Sequence, residues 1–414
     1  MTPPWRYRLL IRALSPLLAG YTLWRALKDG GRRYWWQRLG IYSTSLTAEL
    51  SPPEQDVKLW VHAASVGEVL TVLPLIREWQ QHTGDKVLLT TGTPTGAAVL
   101  AKQALPDIQH QYLPIDFPGA CRRFLEQLPA GRGWIVETEI WPWLYSHCER
   151  TGVALTIING RLSSRTSKQS DGLLASSYRR ALSPVRVLAR SQQDVDNFIA
   201  LGTPAAQVEL IGNLKYTQST DTPVDTPLIP GRYVLAASTH ADEEVQLAGS
   251  WLKQAVKDEL LVIVPRHPER GSAILRDLRA LGAGVSQRSA GQQPASGDQI
   301  YLADTLGELQ AWYSFASACF VGGSLITRGG HNMLEPARYS CPIVVGPHTG
   351  NFDDIMQLMR NSNAIDIAQS SDEAIRFLCE AAQGQARHRD MAARALQVSE
   401  DSQNVLQRYM TALS

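Results

Sequence analysis

LWVHAASVGE, residues 59–68, decides the fold: an apolar run of strand length, a turn of small residues, then an amphipathic segment that opens a helix near Gly67. A strand handed to a helix by a tight turn is the first half of a βαβ unit. The pattern recurs outward from there. Strand candidates follow at Val87–Thr91, His110–Leu113, Trp134–Val136, Ala154–Ile158, Arg186–Ala189 and Val208–Ile211. A second series begins at Tyr233–Ala237 and continues with Leu260–Val264, Ala318–Val321 and Ile343–Val345. Between the series lies TQSTDTPVDTPLIP, residues 217–230, rich in Thr, Asp and Pro and without helical period, the composition of an interdomain linker. Ser286–Asp298 is polar and reads as a surface loop. The expected fold class is α/β, with two Rossmann-like, doubly wound domains facing across a cleft and ligands at the strands' carboxyl ends.

The bulk numbers agree with two domains. A chain of 414 residues is too long for one ordinary core, and 44% hydrophobic against 19% charged residues suits a globular protein. Net charge is +1, which gives no reason to expect nucleic acid as a partner. That average hides an asymmetry: residues 1–40 carry eight basic side chains against Asp29, a local +7 that leaves −6 for the remainder. A basic N-terminus on a mildly acidic body points to an anionic surface. The five cysteines, 121, 148, 319, 341 and 379, show no paired spacing, which fits a reducing compartment better than a disulfide framework or zinc site.

Ala13–Trp24 is a stretch of 12 uncharged residues, interrupted by Pro16 and Gly20 and short of the ~20 apolar residues of a spanning helix. Trp5, Trp24, Trp35 and Trp36 flank it, with Tyr7, Tyr21 and Tyr34. Amphipathic rings settle at headgroup level while arginines meet lipid phosphates, so residues 1–28 are expected to be a membrane-associated anchor rather than a span.

Several segments carry chemistry. Glu68 projects from a helix start towards the expected cleft. A carboxylate there can take a proton from a sugar hydroxyl, or can simply answer the helix dipole. GTPTG, residues 92–96, is a loop after the next strand and a weak signal. WIVETEIWP, residues 134–142, places Glu137 at a strand's carboxyl end with Glu139 just beyond, and two acids there are costly unless paired or working. Lys215, in IGNLKY, can neutralise a leaving phosphate or pair with Glu137. LLVIVPRHPER, residues 260–270, delivers Arg266 and His267 to a strand tip, where a guanidinium offers forked donors to phosphate. VGGSLITRGGHNMLEP, residues 321–336, is the strongest signal. Two glycine pairs lead to a helix start at His331-Asn332 suited to a nucleotide phosphate, and Glu335 can accept both ribose hydroxyls. Walker and G-x-G-x-x-G signatures are absent. Asp353-Asp354 reads as a helix start rather than a metal site.

In order, these segments resemble the Kdo transferases, which move 3-deoxy-D-manno-octulosonic acid from CMP-Kdo onto a lipid A precursor. HAASVGE, TGTPTG, ETEIWP, the RLSSRTS run from Arg161 to Ser167, GNLK, PRHPER, DTLGEL, GGS and GGHNMLEP extend from about Val57 to Pro347, most of the chain. The resemblance implies the glycosyltransferase B architecture with an N-terminal membrane-associated helix. It divides the chain into an anchor, 1–28; an acceptor-binding domain, 29–216; a linker, 217–230; a CMP-sugar-binding domain, 231–390; and a C-terminal helix, 391–414, that could return to pack on the first domain. It implies inverting transfer of Kdo to a lipid IVA-type acceptor in lipopolysaccharide synthesis. Glu68 would be the proton acceptor, and Glu137 and Lys215 would stabilise the transition state. Arg266, His267, Leu306, Gly307, Glu308, Asn332, Met333, Leu334 and Glu335 would hold CMP. Neither cofactor nor metal is implied. Partners are the donor, the acceptor and inner-membrane lipids at the cytoplasmic face. The alternatives are a UDP-sugar transferase or epimerase of the same fold, or a non-catalytic nucleotide-sugar binder. Three positions depart from the family pattern: Trp143 for Asn, Gly160 for Ala, and Met333 for Pro.

Overall fold

Along strand β1 (Val57–His62) successive side chains go to opposite faces, and both faces are buried. Leu59 and Val61 join one apolar cluster with Val72, Leu75, Trp79 and Trp134, while Trp60 joins another with Tyr42, Phe124, Ile135 and Ile157. Burial on both sides is the condition of a parallel sheet covered by helices, and it explains why these strands read as continuous apolar runs. The computed structural model describes residues 2–42, 53–103, 105, 107–162, 172, 174–216, 224, 226–254 and 259–414. Residues 163–167 of the RLSSRTS run, and 217–223 and 225 of the 217–230 stretch, lie outside the described residues.

The chain divides into two compact units, one of residues 1–218 with 404–414, the other of residues 219–403. In the first, β1, β2 (Lys86–Thr91), β3 (Ile108–Tyr112), β4 (Arg132–Val136), β5 (Ala154–Gly160), β6 (Arg186–Ala189) and β7 (Val208–Leu210) form a parallel sheet in the order β3-β2-β1-β4-β5-β6-β7. That is the Rossmann order, which reverses beside β1. Register places Gly133 of β4 opposite Trp60, and a Cβ there would lie 2.7 Å from the indole, so glycine makes room for the ring.

The second unit repeats the plan with β8 (Arg232–Thr239), β9 (Glu259–Pro265), β10 (Val285–Gln287), β11 (Ile300–Leu302), β12 (Cys319–Val321), β13 (Ile343–Val345) and β14 (Asp366–Ile367). The order is β10-β11-β9-β8-β12-β13-β14, again parallel, with the reversal beside β8. Strands β10, β11 and β14 go beyond the sequence expectation, and β10 occupies the start of the stretch read as a loop.

The N-terminal helix Trp5–Arg25 is tied to the first unit by its ends. Tyr7 is buried and its hydroxyl donates to Asp116. The following helix Gly31–Arg38 is fixed by Gln37, whose Oε1 accepts the Tyr112 N–H at 2.8 Å, and by Arg38, which donates to the Leu113 carbonyl at 2.7 Å. Among the described residues no helix is long and apolar enough to cross a membrane.

The C-terminal helix Val405–Leu413 completes the first unit's core with Val405, Tyr409 and Met410. The fully buried Tyr409 hydroxyl accepts the Asn159 N–H at 3.0 Å and has the Gly212 and Leu188 carbonyls at 3.1 and 3.2 Å as acceptors. Tyr409→Phe keeps the ring and strands that N–H. We expect a loss of about 1–3 kcal/mol in denaturant unfolding. An unchanged midpoint would show that Asn159 finds another partner.

Candidate functional site

Glu68 is the third residue of the helix Val66–Thr83, and its carboxylate turns back over the helix start. Ser65, the N-cap, accepts the Glu68 N–H at 3.4 Å and donates its hydroxyl to Glu68 Oε1 at 2.8 Å; the Ala64 N–H donates to Oε2 at 2.7 Å. This is a capping box shifted by one residue, with the acid reaching the N–H just before the N-cap. Burial nevertheless pushes the Glu68 carboxyl up to about 7, against the two hydrogen bonds, with Glu139 and Glu137 adding repulsion. The side chain that caps the helix start is thus also a carboxyl raised towards neutrality.

Glu137, the first residue past β4, has φ 61°, a left-handed conformation that is uncommon for a non-glycine residue. Its N–H donates to the Ile158 carbonyl at 3.0 Å, and Oε1 lies 3.0 Å from Lys215 Nζ, with the Glu137 side chain only 15% exposed. Of the two roles open to Lys215 in sequence, pairing with Glu137 is realised. Lys215 lies in the short 3-10 turn Leu214–Tyr216. Asn159 Oδ1 accepts the Leu214 N–H at 3.0 Å, and Asn213 Oδ1 accepts the Lys215 N–H at 3.1 Å. Glu139 turns aside to accept the Trp141 indole N–H at 2.7 Å, and burial raises its carboxyl.

In the second unit Arg266 and His267 follow β9 and are exposed, with His267 Nδ1 3.3 Å from Glu269. Asn332 Oδ1 accepts the Leu334 N–H at 3.1 Å and its Nδ2 donates to Glu335 at 3.3 Å, so the pair forms one hydrogen-bonded edge. Met333 and Leu334 point into the core and can meet a ligand only through backbone. Leu306 and Gly307 form an exposed turn with Gly307 at φ 83°. Glu308 is gripped by Arg288 at 2.7 and 3.1 Å, and that guanidinium holds its carboxyl below the usual range.

The helix start expected to meet a phosphate, at His331-Asn332, is distinct from the amides that run on from the first glycine pair. The helix after His331-Asn332 is a single turn, Leu334–Ala337. The amides of Gly323, Ser324 and Leu325 already donate to the fully buried Glu243 carboxylate at 2.7–3.0 Å, as does His240 N–H at 3.0 Å. A carboxylate from the chain itself therefore fills that nest. Sequence reasoning missed Glu243 and also His240, whose Nε2 lies 2.8 Å from Nε2 of His331.

The three departures have local reasons. A Cβ at Gly160 would lie 3.0 Å from Val187 and 3.1 Å from Phe198. Trp143 stacks on His147 at 6.0 Å, with its N–H given to Asp116 at 3.1 Å. Met333 is core.

The family model described as 3-Deoxy-D-manno-octulosonic-acid transferase (kdotransferase) matches residues 33–218. A 3-deoxy-D-manno-octulosonic acid transferase of Haemophilus influenzae is 30% identical over 391 residues, covering 91% of this chain and 90% of the relative. The Bordetella pertussis enzyme of the same name is 32% identical over 406 residues, covering 92% of each. The solved UDP-GlcNAc 2-epimerase from Neisseria meningitidis, bound to UDP-GlcNAc, aligns with TM-score 0.56 over 86% of this chain and 99% of that one at 12% identity, a likeness of fold alone. Two parallel doubly wound sheets, the strand-end carboxylates and near-full-length relatives converge: the chain belongs to the 3-deoxy-D-manno-octulosonic acid transferase family.

Proposed function

We propose that the chain transfers Kdo from CMP-Kdo to a lipid IVA-type acceptor at the cytoplasmic face of the inner membrane. The first unit handles the acceptor and the second the nucleotide. The acceptor hydroxyl attacks the anomeric carbon and its proton goes to Glu68. The bond from that carbon to the phosphate oxygen breaks, and the electron pair leaves with CMP, so configuration inverts. Glu137 and Lys215 steady the charge that develops. Arg266, His267, the backbone of Leu306–Glu308 and the Asn332–Glu335 edge hold the nucleotide. CMP is already a good leaving group, so one base and cationic help to the phosphate suffice without a metal or cofactor. The observation that carries this reading is the Glu68 carboxylate, held over a helix start by the Ser65 hydroxyl and the Ala64 N–H in a chain of this family, with burial raising it to about 7, where a general base works best.

The membrane contact rests on the helix Trp5–Arg25 and the turn after it. Leu17 is 71% and Leu27 80% exposed, and Trp5, Leu9, Tyr21 and Trp24 are exposed as well, among Arg6, Arg8, Arg12 and Lys28. Apolar rings and leucines beside arginines form a surface suited to the headgroup layer of an anionic bilayer.

Two experiments follow. Glu68→Gln preserves size and part of the cap while removing the proton acceptor. Turnover should fall by ~10²–10⁴-fold with CMP affinity kept. In the unsubstituted enzyme kcat/KM should fall about tenfold per unit below pH 7, as the carboxyl takes up its proton. Near-normal turnover in Glu68→Gln would leave this residue a helix cap only. For the membrane, Leu17→Glu with Leu27→Glu should cut co-sedimentation with phosphatidylglycerol vesicles about tenfold or more while CMP still binds. Undiminished sedimentation would remove this face from the contact.

A further inference from the structure

Three imidazoles gather at the carboxyl ends of the second sheet's central strands. His240 follows β8, His267 follows β9, and His331 ends the glycine-rich loop after β12. His240 and His331 lie nearly coplanar, 3° between rings whose centroids are 5.1 Å apart, joined Nε2 to Nε2 at 2.8 Å. The His267 ring stands 5.6 Å from His240. This is the point where strand order reverses, the place where open α/β sheets bind ligands.

A hydrogen bond between two ring nitrogens needs one N–H and one bare nitrogen, so the pair holds one proton between its Nε2 atoms. The neutral pair also carries a proton on the Nδ1 of the accepting ring; a further proton goes to the donating ring's Nδ1, and the pair becomes an imidazolium bonded to an imidazole. Burial opposes that charge first, for both rings. Next come the neighbouring cations: His267, Arg328 and Arg270 at His240, and His240, Arg266 and His267 at His331, whose ring is pushed down to about 4. Of the acids at hand, Glu244 is committed to Arg270 at 2.9 Å and Glu243 to four backbone amides. Glu269 lies 3.3 Å from His267 Nδ1, so Arg266 and Arg328 are the further basic groups that the arrangement gathers beside the imidazole pair, a setting suited to an anion.

We propose that His240 and His331 form a proton-sharing pair that binds the phosphate of the nucleotide donor and takes up one proton with it. The inference rests on the second unit's binding a CMP-sugar, and adds two residues and a proton to that reading. Glu243 withdraws the amides of Gly323, Ser324 and Leu325 from phosphate recognition, and the imidazole pair, which a Cβ at Gly323 would meet at 3.2 and 3.3 Å, does their work. The imidazolium then sits beside the leaving phosphate as its charge grows.

Calorimetry of CMP binding at pH 7.5, in buffers of different ionisation enthalpy, counts the protons. At that pH the phosphate monoester, with its second pKa near 6, is largely dianionic. The full chain should take up more protons than His240→Gln or His331→Gln, and each variant should bind CMP about tenfold or more weakly. Cytidine, which lacks the phosphate, should bind the variants within about twofold of the unsubstituted protein by ligand-observed NMR. Variants that bind CMP normally, or with the same proton count, overturn the pair's role. Loss of cytidine along with CMP also overturns it, showing a structural prop. Failure of the unsubstituted protein to bind CMP sinks the donor reading itself.

Discussion

A buried carboxylate governs the second unit. Parallel strands end with amide and carbonyl groups that no ladder completes, and such groups are costly when buried away from water. Glu243, fully buried, collects four of them, the amides of His240, Gly323, Ser324 and Leu325. Bonds to an ionised acceptor are about twice as strong as neutral ones, so one side chain pins the end of β8 to the loop after β12. The approach is close: a Cβ at Gly322 would lie 2.5 Å from the Ser238 carbonyl oxygen. His240 and His331 face each other because this clamp fixes both of their segments. Asn332 and Glu335 follow directly on the same loop.

The first unit solves the same problem with an amide. Asn159 sits near the end of β5 at φ 51°, in the left-handed region that asparagine tolerates better than most residues. Its N–H goes to Tyr409 and its Oδ1 takes the Leu214 N–H. The order of dependence runs from the C-terminal helix through Asn159 to the turn carrying Lys215, and then across 3.0 Å to Glu137. Glu137 is itself left-handed, a conformation that costs of order 1–3 kcal/mol and persists where surroundings over-determine it. The hydrogen bond from its N–H to the Ile158 carbonyl and the ion pair with the lysine do so here.

Much of this was legible in sequence and the remainder could not be. LWVHAASVGE resolves into β1 and a helix from Val66, within a residue or two of expectation, because strand and helix periods differ sharply there. Strands β10 and β11, of three residues each, and β14, of two, are too short to show a period. Glu68, Glu137 and Lys215 stood out as charged residues at strand ends. The Glu243 clamp joins residues 80 or more apart, and the His240–His331 contact spans 91 positions. Neither leaves a local pattern, since both follow from sheet order rather than from spacing. The first glycine pair of the loop is silent for the same reason. The loop's composition points to the helix start at His331-Asn332, and only the folded chain shows that the amides running on from its first glycine pair turn to a glutamate of the chain itself.

The N-terminal helix adds a mechanical consequence within the first unit. Asp116 accepts the Tyr7 hydroxyl while also taking the amides of Trp143 and Leu144 at 3.1 and 2.8 Å, the opening turn of the helix Pro142–Thr151. That helix begins five residues after Glu137 and is set by the same strand, β4. Burial raises the Asp116 carboxyl, and its hydrogen bonds from Tyr7, Trp143 and Leu144 oppose that rise. The exposed leucines and tryptophans are therefore mounted on the same framework that carries Glu137. On the proposed membrane contact, N-terminal helices fixed through Asp116, Gln37 and Arg38 would present one orientation of the first unit to the surface, where a flexible tether would present many, and so would restrict the approach of the proposed acceptor to Glu68 before it is bound.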